Sequence, residues 1–313
     1  MKDFLKQKEI INLCDKNYQS IIDLQNVVGL GLGEKYINNK NTYEKCIHVL
    51  VKKKLTPDLI HTDNLIPKIY KGLKTDVIEF GIPKLCFSTG RSRPLQGGYS
   101  IGPKAIEGYT GTLGCIVFKN TKKGKEYFAL SNNHVLAGGN KFPIGLQITQ
   151  PGADDFGIAS EDLIGVLYNF IPVKFIGLIK PYENYVDCAI AKLTNFSLAS
   201  RRIQEIGNVK GISKAYINLE VIKIGRTTDL TEGKVNTIGT TIKIKFGKFK
   251  SAIFKDQIVS DNFVKGGDSG SLLLNKENKA VGLVFALVEG KCISNNIQRV
   301  LDSLNVSIYS EEK

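Results

Sequence analysis

The chain has 313 residues, of which 42% are hydrophobic, 9% aromatic and 23% charged. This length predicts one or two domains, and the composition excludes extensive disorder. The net charge of +13 would attract nucleic acid, anionic lipid or acidic proteins. The lysines are dispersed along the chain, however, which is more typical of a solvated surface than of a nucleic-acid interface.

The N-terminal residues carry scattered charges and lack the apolar run of a signal peptide. No later stretch approaches the roughly 18 uninterrupted apolar residues of a membrane span. The six cysteines occur singly, without a CxxC pair, which predicts buried thiols and no zinc site. Four acidic residues, Asp154, Asp155, Glu161 and Asp162, match no EF-hand and indicate a solvated loop. We therefore predict a cytoplasmic protein with no membrane attachment, no cofactor and no metal.

Residues 1–85 are predicted to form a small α+β domain. Apolar residues between positions 4 and 25 recur at the spacing of an amphipathic helix, and short β-rich segments follow it. Gly29, Gly31 and Gly33 alternate within one of these segments, so they do not match the GxGxxG of a nucleotide-binding loop. We expect them to leave bare backbone on one sheet face, where another group can approach closely.

Residues 86–97 are rich in Gly, Ser, Pro and Arg and are predicted to be a linker. From residue 98 to residue 313 short apolar or alternating runs are separated by turns, the pattern of an antiparallel barrel or sandwich. The last element is predicted to be a helix over residues 295–304, with Ser294 as its cap.

A glycine-rich turn, Gly266 to Ser271, is the first segment that predicts chemistry. Glycines on both sides of Ser269 expose its hydroxyl and let backbone N–H groups converge on a developing negative charge. An acyl-transfer nucleophile needs both features. Taken alone, the segment is also compatible with a plain turn between strands.

His134 and Asp187 supply the groups that a serine nucleophile needs. His134 follows a strand-like run and is placed to act as a general base near neutral pH. Asp187 begins an apolar strand, where a carboxylate is costly unless it is paired, and orienting an imidazole is one use of such a pair. A surface aspartate is the alternative for this segment alone. The other two histidines, His48 and His61, are interpreted as structural.

The three segments occur in the order His, Asp, Ser, which is the order of the chymotrypsin-like arrangement. The separations of 53 residues from His134 to Asp187 and 82 residues from Asp187 to Ser269 leave room for two consecutive six-stranded barrels. The segments SNNHVLA, VDCAIAKL and GGDSGSLLL resemble those of chymotrypsin-like (trypsin-like) serine peptidases across residues 98–307.

A fourth segment, GRTTDLTEGKV at residues 225–235, resembles the GxTTG…GxV hairpin of streptogrisin-like bacterial members. Asp229 stands where those proteins carry a glycine, so the turn is expected to differ. With the leading α+β unit, the whole pattern is similar to uncharacterised bacterial trypsin-like peptidases and to the plant Narrow leaf group.

The resemblance implies a mainly β chain with a chymotrypsin-like double six-stranded antiparallel barrel and a C-terminal helix. It implies a serine endopeptidase with Ser269 as nucleophile, His134 as general base and Asp187 holding the imidazole. The N–H groups of Gly267 and Ser269 would bind the oxyanion, and Asp268 would need a buried partner that keeps the Gly267 peptide turned.

The resemblance also implies a primary substrate pocket, with Phe263 and Val264 at its base and Phe285, Ala286 and Leu287 along its wall. Because no acidic residue lies at that base, we expect preference for a small or medium apolar residue before the scissile bond.

Zymogens of this family free a new N-terminus, and residues 96–99 lie where one would arise. Without a secretion signal, we instead predict a constitutively assembled or partner-gated enzyme. It would act on protein or peptide substrates, with residues 1–85 as a regulatory or docking domain.

Two other classes of function compete with this prediction. A catalytically silent, peptidase-like interaction module would be favoured by lesions in the triad, and the sequence has none. A basic nucleic-acid-associated protein would need aromatic and basic residues interleaved on an exposed face.

Overall fold

The computed structural model describes residues 2–38, 40–81, 88–122, 124–157, 160–177, 182–247, 250–288 and 291–310. The chain divides into two compact units, Met1–Leu85 and Cys86–Lys313. Within the described ranges, no helix is long and apolar enough to cross a membrane.

The first unit consists of two helices and a four-stranded sheet with the strand order β1-β2-β4-β3. Its elements are α1 (Lys2–Lys16), α2 (Gln19–Ile22), β1 (Val27–Ile37), β2 (Lys40–Val51), β3 (Ile69–Tyr70) and β4 (Leu73–Glu79). Ile47 and Val49 of β2 are buried in one apolar cluster with Ile10 and Ile21 of the helices. Because strand residues alternate, Cys46 and His48 lie on the opposite face of β2.

Other groups approach two of the three alternating glycines of β1 closely, whereas nothing lies within 4 Å of a Cβ at Gly31. A Cβ at Gly33 would overlap the imidazole ring of His48, and a Cβ at Gly29 would lie 3.3 Å from Leu50 Cδ1. The groups that approach are side chains of the neighbouring strand β2, which pairs antiparallel with β1. Because residue 33 is a glycine, the imidazole ring of His48 can lie directly against the backbone of β1.

The second unit is mainly β, as predicted. Its helices are α3 (Asn133–Leu136) and α4 (Ile297–Leu304). Its strands are β5 (Ser100–Pro103), β6 (Gly111–Thr112), β7 (Cys115–Thr121), β8 (Gly124–Ser131), β9 (Gln147–Thr149), β10 (Leu163–Phe170), β11 (Glu183–Asn184), β12 (Ala189–Leu193), β13 (Arg202–Ile203), β14 (Gly207–Asn208), β15 (Glu220–Gly225), β16 (Asp229–Phe246), β17 (Lys250–Ser260), β18 (Leu272–Asn275), β19 (Ala280–Val288), β20 (Lys291–Asn296) and β21 (Ser307–Ile308).

Two large curled sheets make up this unit. One has eight strands in the order β21-β7-β8-β12-β10-β9-β5-β6, and the other has seven in the order β11-β17-β16-β15-β18-β19-β20. In the second sheet β17 also pairs with β20, which joins the two ends of the six-strand run β17-β16-β15-β18-β19-β20. The strand order of the first sheet is open, so two closed six-stranded barrels remain a prediction.

The two sheets share a core. Phe128 and Ile190 of the first sheet are buried in the same cluster as Leu272 and Leu283 of the second. Helix α4 adds four buried side chains to this unit: Ile297, Val300, Leu301 and Leu304. Side chains from the two sheets therefore pack against each other in one apolar cluster.

The prediction that Ser294 caps the last helix was wrong. Ser294 lies inside β20, fully buried, and helix α4 begins at Ile297 with Asn296 as its cap. The Asn296 Oδ1 atom accepts a hydrogen bond from the Gln298 N–H at 3.0 Å. The helix starts later than predicted because β20 continues pairing with β19 as far as Asn296.

The described part of the segment predicted as a linker packs on the second unit. Leu95 is fully buried in a cluster with Ile101 and Leu113, and its N–H donates to the Leu198 carbonyl at 2.9 Å. The Ser88 hydroxyl donates to Asp229 Oδ1 at 2.6 Å. Residues 88–97 are therefore held along their length and do not act as a loose spacer.

Candidate active site

His134 and Asp187 form a close pair in the first sheet. His134 lies in the short helix α3, directly after β8, and Asp187 lies two residues before β12, which pairs with β8. The imidazole Nδ1 is 2.7 Å from Asp187 Oδ2, and the His134 N–H donates to Asp187 Oδ1 at 3.1 Å. Both carboxylate oxygens thus contact His134, which fixes the position and the tautomer of the ring.

The backbone of Asp187 is also held on both sides. Its N–H donates to Asn295 Oδ1 at 2.8 Å, and its carbonyl accepts from Asn132 Nδ2 at 2.7 Å. Asp187 is wholly buried, whereas the side chain of His134 is 28% exposed. The carboxylate is therefore shielded from water while the imidazole remains accessible from outside.

The pKa of His134 is raised above its ordinary value. Burial lowers this pKa, but the negative charge of Asp187 and the hydrogen bond to it raise the pKa and prevail. Asp187 therefore stabilises the protonated imidazolium. A general base that accepts a proton during catalysis needs that stabilisation.

Ser269 lies on the glycine-rich turn before β18, and this turn packs beside α3. The Thr112 N–H donates to the Ser269 carbonyl at 2.7 Å. A Cβ at Gly111 would meet both Val135 Cγ2 at 2.6 Å and the Ser269 carbonyl oxygen at 2.8 Å. Gly111 thus separates the backbone of Ser269 from the residue that follows His134. In the described chain no hydrogen bond joins Ser269 Oγ to the imidazole, a bond that often tightens only when substrate is present.

Two threonines hold the peptide groups of the turn. The Thr227 hydroxyl donates to the Gly266 carbonyl at 2.7 Å, and the Thr112 hydroxyl donates to the Gly267 carbonyl at 2.8 Å. Gly267 has a φ of 100°, which favours glycine. Because the peptide is planar, a Gly266 carbonyl directed at Thr227 points the Gly267 N–H the opposite way.

The N–H groups of Gly267 and Ser269 remain available. Over the part of the chain that the structure describes, neither of them donates to another protein atom. Two unpaired N–H groups on a glycine-rich turn are the donors that a developing oxyanion requires. The hydrogen bonds around this turn thus leave these two donors for a substrate oxygen.

The expected partner of Asp268 is Lys223. The Lys223 Nζ atom lies 3.1 Å from Asp268 Oδ2, and both side chains are almost fully buried. Asp268 also accepts from the Thr228 hydroxyl at 2.6 Å and from the N–H groups of Thr227 at 2.9 Å and Lys265 at 2.9 Å. Burial lowers the pKa of Lys223, although the charge of Asp268 opposes this. The network anchors the turn from inside the protein.

Asp229 keeps the turn conformation that a glycine would give. Its φ is 49°, in the left-handed region that aspartate tolerates better than most residues. Its side chain accepts a hydrogen bond from Ser88, and its carbonyl faces Lys223 Nζ at 3.5 Å. The turn therefore differs from one with glycine at this position in the contacts that the Asp229 side chain makes.

The residues expected to line the primary pocket do not all lie together. Val264 is buried in a small cluster with Val284 and Cys292. Phe285 packs instead in a different cluster, with its ring centroid 4.8 Å from that of Phe254. Ala286 packs against that second cluster, and Phe263 and Leu287 are 53% and 44% exposed.

A cavity lies beside His134. It has a volume of about 380 Å³, and its wall includes Tyr109, Phe175 and Phe246 together with Lys141 and Lys250. Phe175 and Phe246 come from distant parts of the chain, and Phe246 is the last residue of the long strand β16. Sequence reasoning did not single out these residues.

Several other contributors also had no sequence signal of their own. For Lys223 and Thr112 the sequence predicted only β structure, and Asn295 was predicted to lie in the last helix. Thr227 lay within the quoted GRTTDLTEGKV segment, which was the one indication that a side chain from that hairpin reaches the glycine-rich turn. The acidic residues Asp154 and Asp155 are engaged as well, since Asp155 binds the Arg226 guanidinium at 2.7 Å and Asp154 accepts the Gly108 N–H at 2.8 Å.

The fold and the site together define a class of protein. A histidine paired with a buried aspartate on one curled antiparallel sheet, next to a serine on a glycine-rich turn of a second sheet, is the arrangement of chymotrypsin-like serine peptidases. The family described as "Peptidase family S64" matches this chain over residues 179–288. The match confirms the predicted relationship to the peptidases. No curated protein matches the chain.

The chain is also similar to several solved structures of proteases. Thermobifida fusca protease A is 14% identical with a TM-score of 0.49, covering 69% of this chain and 98% of its own. A Nocardiopsis protease is 17% identical with a TM-score of 0.49, covering 68% of this chain and 97% of its own. Cellulomonas bogoriensis chymotrypsin is 14% identical with a TM-score of 0.48, covering 69% of this chain and 98% of its own.

Proposed function

We propose that this protein is a serine endopeptidase that hydrolyses peptide bonds through an acyl-enzyme on Ser269. The observation that carries the proposal is the 2.7 Å contact of His134 with the wholly buried Asp187, beside a turn in which the Gly267 and Ser269 N–H groups are unpaired. Such a pair is costly to bury, and activation of a neighbouring hydroxyl is a function that uses it.

In the proposed reaction the Ser269 hydroxyl attacks the scissile carbonyl and its proton moves to His134 Nε2. Asp187 stabilises the imidazolium, and the Gly267 and Ser269 N–H groups bind the oxyanion. His134 then gives its proton to the leaving amine, and water hydrolyses the ester in the same way. Each oxyanion donor is worth about 10² to 10³ in rate in comparable enzymes.

We further propose that the enzyme needs no new N-terminus to become active. The partner that a freed N-terminus would supply to Asp268 is already present as Lys223, at 3.1 Å. The segment in which such an end would arise is paired: the Gly97 N–H donates to the Arg202 carbonyl at 2.9 Å and the Gly98 N–H to the Leu113 carbonyl at 2.7 Å. A mature protein that begins near residue 98 would contradict this part of the proposal.

The proposed substrates are proteins or peptides with a small or medium apolar residue before the scissile bond. The buried contacts of Val264 with Val284 and Cys292 support an apolar pocket base. Selective cleavage after arginine in a peptide library would contradict this preference.

A cytoplasmic setting is part of the proposal. The five cysteines in the described ranges are free, and four of them are buried. Burial raises the pKa of Cys115 to about 12, which keeps it a thiol. Free buried thiols are typical of reducing compartments.

Residues 1–85 are proposed to dock a regulatory protein. This unit contains a cavity of about 510 Å³, lined by apolar side chains and by Lys52, Lys53 and Lys54. An acidic segment with apolar side chains would complement such a surface.

The test is labelling of the purified full-length protein with a fluorophosphonate probe. We expect labelling of the wild type at Ser269, mapped by mass spectrometry, and its loss in Ser269→Ala and His134→Ala. Ser303→Ala, which removes an exposed hydroxyl from α4, is the matched control and should label like the wild type.

A folded wild-type protein that remains unlabelled would favour either partner gating or a catalytically silent interaction module. Labelling after removal of residues 1–85 would then indicate gating, whereas continued silence would indicate a binding module.

A further inference from the structure

Cys46, His48 and Asp76 lie together on the sheet face of the first unit that points away from its helices. Cys46 and His48 are two residues apart on β2, so their side chains share a face. His48 pairs with Asp76 of β4 in the parallel register of the two strands. One ligand atom from each of the three side chains lies within 4.8 Å of the other two.

The orientation of His48 suits a metal ligand. Its Nε2 lies 2.7 Å from the Glu34 carbonyl, and with Nε2 as the donor the Nδ1 atom carries no proton. Histidines that bind metals usually donate their other ring N–H in this way, which fixes the ring and the tautomer. The bare backbone of Gly33 gives the ring its place on the sheet.

Asp76 is also held in position. Its Oδ2 atom accepts the Tyr36 N–H at 2.7 Å, and its Oδ1 atom lies 3.8 Å from Lys35 Nζ. The Lys35 ammonium donates to the Thr75 carbonyl at 2.9 Å, which is its shorter contact. The carboxylate is therefore oriented by the backbone N–H of Tyr36, and the Lys35 ammonium lies closer to the Thr75 carbonyl than to Asp76.

The third group is a buried thiol. Cys46 is fully buried, and burial together with the negative charge of Asp76 raises its pKa. A divalent cation bound there would replace the thiol proton and would be coordinated by sulfur, nitrogen and oxygen. That donor set is the one that Zn²⁺ takes in proteins. A cavity of about 440 Å³, lined in part by His48 and Asp76, gives access from solvent.

We propose that Cys46, His48 and Asp76 bind one zinc-type divalent cation, with release of the Cys46 proton and with a solvent oxygen as fourth ligand. The sequence predicted no metal because the cysteines are scattered and His48 fits a strand pattern. The third ligand is 28 residues further along the chain, and the pairing of β2 with β4 brings it to the other two. The site lies in the first unit and does not depend on the proposed peptidase activity.

Co²⁺ titration of the metal-free full-length protein tests the proposal. We expect one equivalent to produce the near-ultraviolet absorption of a cobalt–thiolate bond, and Zn²⁺ to displace it. Cys46→Ser should abolish this band, and His48→Gln and Asp76→Asn should weaken Co²⁺ binding by roughly 100-fold or more, since even the partners of metal ligands contribute about 10- to 100-fold.

Cys14→Ser and His61→Gln are the matched controls, because both residues lie outside the cluster and are partly or well exposed. They should bind Co²⁺ like the wild type. Absence of a thiolate band in the wild type, or a band that survives Cys46→Ser, would overturn the proposal.

If Cys46→Ser does not fold, the Asp76→Asn protein decides the question, because asparagine keeps the acceptor for Tyr36. Zn²⁺ should raise the unfolding temperature of the wild type and leave that of Asp76→Asn unchanged. An equal rise in both proteins would contradict the proposed site. Fluorophosphonate labelling of Ser269 should be the same in all of these variants, which separates this test from that of the peptidase.

Discussion

At the scale of single residues, the contact between His134 and Asp187 determines how the site responds to pH. The neutral imidazole is the form that accepts the serine proton, so activity is lost as the pH falls through the pKa of His134. Because Asp187 raises that pKa, the loss begins at a higher pH than for an unpaired histidine.

Asp187→Asn removes the charge and leaves burial to lower the pKa of His134. We expect the acid limb of the pH–rate profile to move to lower pH, and kcat/KM to fall by about 10⁴-fold because the imidazole tautomer is no longer fixed. The measurement is kcat/KM across the pH range on a peptide amide. An acid limb that stays in place would mean that Asp187 does not control the titration of His134.

Thr227 is a positioning residue for the oxyanion donors, since its hydroxyl holds the Gly266 carbonyl at 2.7 Å. Thr227→Val frees that carbonyl and allows the Gly267 peptide to turn. We expect kcat to fall by up to about 10²-fold with little change in KM, as for the loss of one oxyanion donor. Thr227→Ser keeps the hydroxyl and should restore most of kcat; if it is as impaired as Thr227→Val, the hydrogen bond is not the cause.

At the scale of elements, helix α4 packs four apolar side chains into the second unit and depends on its cap. Asn296→Ala removes the acceptor of the Gln298 N–H, and we expect a loss of about 1 kcal/mol in the free energy of unfolding. Asn296→Asp keeps an acceptor and should retain most of that stability. Urea unfolding measures both, and equal destabilisation by the two variants would show that the cap bond is not what stabilises the helix.

The long strand β16 is the other element with consequences for the site. It runs from Asp229, near the Lys223–Asp268 pair, to Phe246 at the cavity beside His134. This strand thus helps to support the glycine-rich turn, and it contributes Phe246 to the wall of the cavity beside His134. Neither of these end contacts was predicted from the sequence.

At the scale of the whole molecule, each of the two units has its own apolar core. Ile47 lies in the core of the first unit and Leu130 in that of the second. Units with separate cores are expected to unfold as separate transitions. Ile47→Ala should cost about 2 to 5 kcal/mol and lower one calorimetric transition, and Leu130→Ala should lower the other.

In this experiment Ile47→Ala should leave fluorophosphonate labelling of Ser269 unchanged at temperatures where the second unit is folded. A single transition that both substitutions lower would show instead that the two units unfold together.

Features that depend on neighbouring residues could be predicted from the amino-acid sequence alone. The glycines beside Ser269, the apolar strand after Asp187 and the strand before His134 are local patterns, and local backbone preferences and alternation follow from them directly. The mainly β character and the relationship to the peptidases were predicted from those same segments.

The distant residues that support these segments could be identified only in the folded chain. Three such contacts depend on how strands pair and in which register. They are the ion pair of Lys223 with Asp268, the hydrogen bond from Thr227 to the Gly266 carbonyl, and the pairing of Asp76 with His48. A shift of one residue in a strand turns every side chain to the other face, so such contacts are set by the packed sheet as a whole. Local sequence patterns do not contain that register, and for this reason the partners of the site were found only in the folded chain.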